Sequence, residues 1–165
     1  MQSSSAPPQT VALVTVPYQS SDAELLIAKA NAFNAELYGH PDQTPVSPDE
    51  FDPVRRGTFV VAYLAGSPVA CGGYRNHIDD STGLTAEVKR MYVEPGFRRS
   101  GIARGLLAEL ESQARSDGYR AAILDCGSKQ SAAHHLYESC GYNRTTSFSI
   151  YKDSPGNRAY LKSLV

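Results

Sequence analysis

The sequence predicts a mixed α/β fold, an α+β arrangement in which one sheet carries helices on both faces. Three observations point there. Two β-branched runs, Thr58 to Ala65 and Pro68 to Tyr74, are separated by only a short Ala-Gly-Ser turn, which reads as a hairpin. Later in the chain, strand-like and helix-like runs alternate. Finally, 165 residues of 41% hydrophobic composition suit one compact core.

Each element has its own signal. Residues 1–9, MQSSSAPPQ, are rich in Ser, Pro and Gln and read as a flexible tail, leaving 10–165 as a single domain. Thr10 to Val16 is a β-branched run. Ser21-Asp22 then offer an N-cap for a helix from about Ala23 to Leu37, with Leu26, Ala30, Phe33 and Leu37 on one face and Tyr38-Gly39 as its end. The stretch His40 to Pro53 holds four prolines and four acids, so it reads as an irregular loop or short turns. After the hairpin, Asp79 to Gly83 forms a turn and Thr85 to Val93 a third strand. A helix from about Ser100 to Asp117 places Ile102, Leu106, Leu110 and Ala114 on one stripe, with Gly118 as its stop. Tyr119 to Asp125 reads as a buried strand, Ala132 to Cys140 as a helix ended by Gly141, and Phe148 to Lys152 as a last strand.

Composition removes several function classes. With 16 Lys+Arg against 17 Asp+Glu and a net charge of -1, the chain lacks the basic surplus of nucleic-acid binders. No run of about 18 apolar residues is present to span a membrane, and the N-terminus lacks the basic and apolar regions of a secretory signal, so the expectation is a soluble cytoplasmic protein. Cys71, Cys126 and Cys140 form neither a disulfide framework nor a CxxC motif and are expected to be reduced. His134 and His135 are adjacent on a helix and point about 100° apart, a poor geometry for chelating one metal, and no metal site is expected. His40 and His77 fall in loops and read as surface histidines, with contact to a substrate as the alternative.

The most informative stretch is Arg98-Arg99-Ser100-Gly101-Ile102-Ala103, between a strand end and a helix start. A helix N-terminus carries unpaired N–H groups and a partial positive charge, so a turn entering it can surround phosphate oxygens. Gly101 and Ala103 leave the backbone approachable, Arg98 and Arg99 can add charge-assisted hydrogen bonds, and Ser100 a hydroxyl. Neither Gly-Lys-Ser/Thr nor GxGxxG is present here, which argues against a Walker loop and a dinucleotide fingerprint. The six residues alone are equally compatible with a solvated basic turn.

The longer stretch VEPGFRRSGIARGLL resembles the signature of the GNAT superfamily of N-acetyltransferases, in which Q/R-x-x-G-x-G/A follows a V-x-P strand end and binds the pyrophosphate of acetyl-CoA. Arg98, Gly101 and Ala103 fill its three defining positions. AEVKRMYV before it and AAHHLYESCGY after it resemble two further blocks of the same family, in the expected order. The resemblance covers roughly Thr58 to Ile150 and implies a largely antiparallel mixed sheet splayed at a cofactor cleft. Two positions depart from the pattern: Arg99 stands where many relatives have Gly, and Gly127-Ser128-Lys129-Gln130 where many supply an Asn to the pantetheine.

What the resemblance implies for chemistry is specific. Acetyl-CoA is the expected co-substrate, bound by the turn Arg98 to Ala103, with its pantetheine arm along Met91-Tyr92-Val93 and one backbone N–H there polarising the thioester carbonyl. Glu87, six residues before Val93, matches a position where some members place a carboxylate base acting directly or through water. Alternation puts Glu87, Lys89, Met91 and Val93 on one strand face, and partial burial is expected to raise the Glu87 carboxyl. Pairing with Lys89 or another cation is the alternative. Tyr137 matches the tyrosine that serves relatives as general acid for the departing thiolate, with core packing as its alternative. The acids Glu36, Asp42, Asp49, Glu50 and Asp52 could attract an amine, and Arg75 and Lys89 a carboxylate, which together suit an amino acid or other small-molecule amine better than a long polycation. A protein lysine or N-terminal acetyltransferase and a non-catalytic CoA-binding module are the alternatives, and a homodimer is compatible with all three.

Overall fold

The computed structural model describes residues 10–165; the expected tail over 1–9 lies outside them. Its elements are β1 (Val11–Thr15), α1 (Ser21–Tyr38), β2 (Thr58–Leu64), β3 (Ser67–Asn76), β4 (Thr85–Val93), α2 (Ile102–Ser116), β5 (Ala121–Cys126), α3 (Ser131–Ser139), β6 (Asn143–Thr145) and β7 (Arg158–Ser163), with 3-10 turns at Pro48–Phe51, Pro53–Arg55 and Pro95–Phe97. The strands form one sheet in the order β1-β2-β3-β4-β5-β7-β6. Every pairing is antiparallel except β4 with β5. Among the described residues, no helix is long and apolar enough to cross a membrane.

The sheet separates two apolar layers. On one face the α2 stripe, Ile102, Leu106, Leu107, Leu110 and Ala114, packs on Val60, Ala62, Ala70, Tyr74, Ala86 and Val88 together with Tyr137 from α3. On the other, Ala23, Leu26 and Ala30 of α1 meet Phe59, Val61, Cys71 and Tyr92. Leu106, Leu107 and Leu110 are at most 1% exposed, and each such leucine contributes about 1.5–3 kcal/mol relative to an exposed position. Glu111 faces the same interior, where Lys162 Nζ (2.8 Å) and the Tyr142 hydroxyl (3.0 Å) donate to its carboxylate.

Most boundaries fall within two or three residues of the sequence expectation, and two features differ. The α1 cap is Ser20, whose Oγ accepts from the Ala23 amide, rather than Ser21-Asp22. The expected strand Phe148 to Lys152 does not form. Its side chains are drawn to other loops and strands: Ser149 Oγ donates to Asp125, and the Tyr151 hydroxyl accepts from the Gln43 amide (2.6 Å) and donates to Asp42. The sheet is completed instead by β6 and β7, whose pairing partners lie far off in sequence and whose own residues, NRT and RAYLKS, carry little apolar pattern.

Candidate functional site

The site arises where two strands part. β4 and β5 pair only over Thr85↔Ala121, Ala86↔Ala122 and Glu87↔Ile123, whereas on its other side β4 stays paired with β3 as far as Val93↔Ala70. Beyond Glu87, therefore, the β4 backbone presents an unpaired edge to the gap. A β-bulge lies in the same stretch: the register shifts between Cys71 and Gly73, and Arg90 sits at φ 63. The extra residue reverses the phase of the strand. Met91 and Val93 pack with the α2 layer, while Tyr92 packs with the α1 layer. Gly72 is what admits this, since a Cβ there would lie 2.5 Å from Met91 Sδ. The expected common face for Glu87, Lys89, Met91 and Val93 is thereby corrected, because Glu87 and Lys89 lie on the opposite side from Met91 and Val93.

At the end of β4 the chain turns into α2. Gly101, the N-cap, sits at φ 83 and offers no capping side chain, so the amides opening the helix at Ile102 and Ala103 lack the usual cap partner. A Cβ built at Gly101 or Gly105 meets nothing within 4 Å, so the mouth is open. This is the feature a phosphate needs. The flanking side chains are arranged differently from expectation. Arg98 Nε donates to Val93 O (2.9 Å) with its guanidinium 4.6 Å above the Phe33 ring, and Ser100 Oγ donates to Phe97 O (2.5 Å), so both brace the turn. Arg99 is exposed and occupies the left-handed region at φ 61, where an L side chain is strained. Arg99→Gly is expected to raise stability by about 0.5–1 kcal/mol, which a thermal melt reads as a Tm increase of roughly 1–4 °C.

A cavity of about 340 Å³ occupies the gap. Its walls come from α1 (Asn31, Asn34), β4 (Lys89, Arg90, Met91), β5 (Asp125, Cys126) and α3 (Tyr137). Two loops roof it. Asp42, in the proline-rich segment, accepts from the Arg90 guanidinium, the Thr44 amide and the Tyr151 hydroxyl, while His40 stacks on the Tyr151 ring. Burial raises the Asp42 carboxyl, but Lys89, Arg90 and the Thr44 hydrogen bonds outweigh it and hold the group below the usual carboxylate range. On the floor, Tyr137 is 6% exposed, its ring lies against Tyr142 and Tyr160, and its hydroxyl has no protein partner among the described residues. Burial, helped by the neighbouring Cys126, Asp125 and Cys140, pushes its phenol up, so it holds its proton firmly. Cys126 is likewise pushed up to about 12, chiefly by burial, and stays a neutral thiol.

Glu87 is 3% exposed and sits just behind the cavity, at the centre of a charge cluster. His77 Nδ1 (3.1 Å) and Arg75 (3.2 Å) contact its carboxylate, and Lys89 Nζ lies 3.9 Å away. Arg75 also reaches Glu50 and Pro45 O, tying the proline-rich segment to the sheet. Burial alone pushes the Glu87 carboxyl upward, as expected from sequence, but the His77 hydrogen bond with Lys89 and Arg75 reverses the sign and holds it low. Because its folded value is depressed, the cluster stabilises the protein above the unfolded carboxyl value near 4.3 and loses that contribution as pH falls through the folded one. Glu87→Gln is expected to cost roughly 3 kcal/mol in urea unfolding at pH 7, by leaving buried cations unbalanced, with the difference shrinking below about pH 4.

Of the expected site residues, Met91 and Tyr137 line the cavity, Glu87 lies behind its wall, and the turn Arg98 to Ala103 follows at the end of β4 without lining it. His77, expected at the surface, is 6% exposed, and Phe148 packs edge-on against it. Sequence reasoning missed the Asp42–Arg90–Tyr151 roof, which joins segments about 50 and 110 positions apart that carry no mutual signal. The adjacent Lys89-Arg90, two cations inside a strand, was the one available hint.

The family model described as "Acetyltransferase (GNAT) family" matches residues 27–142, which include the cleft strands, the turn and Tyr137. The chain belongs to the GNAT acetyltransferase family. Curated relatives include an IAA acetyltransferase from Azospirillum brasilense, 36% identical over 97 residues that make up 59% of this chain and 61% of that protein. An N-acetylaspartate synthetase from Danio rerio is 37% identical over 106 residues, 64% of this chain and 36% of that one. This GNAT chain therefore spans about three fifths of the first relative and about a third of the second. A Salmonella typhimurium structure, solved with its cofactor acetyl-CoA, superposes with a TM-score of 0.66 at 17% identity, covering 94% of each chain, which supports the common GNAT fold.

Proposed function

We propose that the protein transfers the acetyl group of acetyl-CoA to the primary amine of a small molecule. The observation that carries this reading is the cavity of about 340 Å³ between the splayed strands, with an unpartnered tyrosine hydroxyl on its wall. That volume, roofed by two tied loops, suits a small acceptor better than a lysine presented on a protein surface. The relative named N-acetylaspartate synthetase, after an N-acetylated amino acid, is consistent with it.

Acetyl-CoA, when bound, supplies the acetyl group as a thioester. The residues present fit it: open amides at the α2 mouth suit a diphosphate, and the unpaired edge of Met91, Tyr92 and Val93 suits an extended amide-bearing arm. One β4 amide there polarises the thioester carbonyl. Tyr137 holds at its hydroxyl the proton that the departing thiolate requires. Glu87, ionised at neutral pH but screened from the cavity by Lys89, accepts the amine's proton through water. In keeping with its depressed carboxyl, kcat/KM has no limb from Glu87 between pH 5 and 7. Incubating the protein with acetyl-CoA and panels of amines, amino acids and peptides, with thiol release and product mass as readouts, tests the reading. Acetylation of small amines supports it, modification of peptides alone would replace it, and acetyl-CoA binding without thiol release would reduce the protein to a binding module.

A further inference from the structure

Four charged side chains line the cavity, and three are already engaged. Arg90 is paired with Asp42, Asp42 also receives Tyr151, and Asp125 accepts from Ser149. The fourth, Lys89, has a side chain only 5% exposed, yet it makes no hydrogen bond. Its nearest carboxylate oxygen, on Glu87, is 3.9 Å from Nζ, beyond hydrogen-bond distance, and the Glu87 carboxylate is already held by His77 and Arg75. Among the described residues Lys89 is therefore the one cavity cation that makes no hydrogen bond at all, since Arg90, although its Nε is unpartnered, is held by Asp42. The ion pair with Glu87 offsets the charge of Lys89 but fills none of its three donors, and a bound anion would supply the missing charge-assisted hydrogen bond. Arg75, the other cation that sequence reasoning considered for this purpose, is bound to Glu50, Glu87 and Pro45 O and does not line the cavity.

We propose that Lys89 binds a carboxylate on the acceptor, so that the preferred substrate is a small zwitterion carrying both an amine and a carboxylate. Polarity across the cavity agrees: Lys89 is on the β4 wall, and on the β5 wall Asp125, whose hydrogen bond from Ser149 leaves its negative charge in place, attracts an ammonium. This inference rests on the acetyl-transfer reading and narrows its acceptor.

The test compares each amino acid with its decarboxylated amine, phenylalanine with phenethylamine and histidine with histamine, by thiol release from acetyl-CoA. For at least one pair, the wild-type protein is expected to favour the carboxylate-bearing member by about 10- to 100-fold in kcat/KM, the range of one desolvated charge-assisted contact. Lys89→Met is expected to collapse that ratio toward one through KM, with a cooperative melt and acetyl-CoA affinity showing that the protein is folded. Equal use of both members by the wild type, or a ratio unchanged in Lys89→Met, would overturn the inference while leaving acetyl transfer intact. Absence of thiol release with every amine would instead remove the underlying reading.

Discussion

Gly101→Glu abolishes measurable CoA binding, a loss of at least 100-fold in affinity by calorimetry. Two effects act together. The new carboxylate projects into the open space before α2, where the first-turn amides and the helix dipole favour an anion, and fills the position proposed for the diphosphate with a tethered charge of the same sign. The residue must also adopt φ near 83, which costs a non-glycine side chain about 1–2 kcal/mol. Gly101→Ala separates the contributions, carrying the backbone strain without the charge. Its melting temperature falls while CoA still binds. Undiminished affinity in Gly101→Glu would move the phosphate site elsewhere.

Tyr137→Phe lowers kcat by roughly 100-fold or more, within the range attributed to a positioned proton donor, while leaving the CoA dissociation constant within about twofold. The substitution removes one oxygen and keeps the ring packed against Tyr142 and Tyr160, so the core is preserved. The phenol's upward shift has a consequence for pH. The hydroxyl remains protonated throughout the neutral and moderately alkaline range, so the basic limb of kcat reports some other group. Full turnover in Tyr137→Phe would make this tyrosine a packing residue alone.

Much of the scaffold was readable because its signals are local. The α2 stripe recurs at helical spacing, and Gly39, Gly118 and Gly141, all at positive φ, end their helices where the sequence pattern stops. The opening of α2 after Gly101 was legible for the same reason, although the six residues of the turn alone do not distinguish a phosphate site from a solvated turn. The bulge was not. It depends on an arginine held at positive φ and on the absence of a Cβ at Gly72 across the sheet, neither of which alters the apolar alternation of β4. Missing it put Lys89 and Met91 on the same face. The fate of the Glu87 carboxyl was also hidden, because its direction follows from the balance between burial and His77 and Arg75, two residues that only the β3–β4 pairing brings near. Phe148 to Lys152 misled because an apolar-aromatic run looks the same whether it joins a sheet or supplies anchors to neighbouring loops.

The phase reversal at Arg90 leaves β4 as two half-strands with separate duties. On the proposed reading, Glu87 and Lys89 before the kink serve the incoming amine, and the main-chain edge of Met91 to Val93 after it serves the thioester arm. Both halves still share the α2 layer, through Ala86 and Val88 before the kink and Met91 and Val93 after it. A side-chain change at position 87 or 89 would then alter acceptor choice while leaving unchanged the main-chain edge offered to the acyl donor.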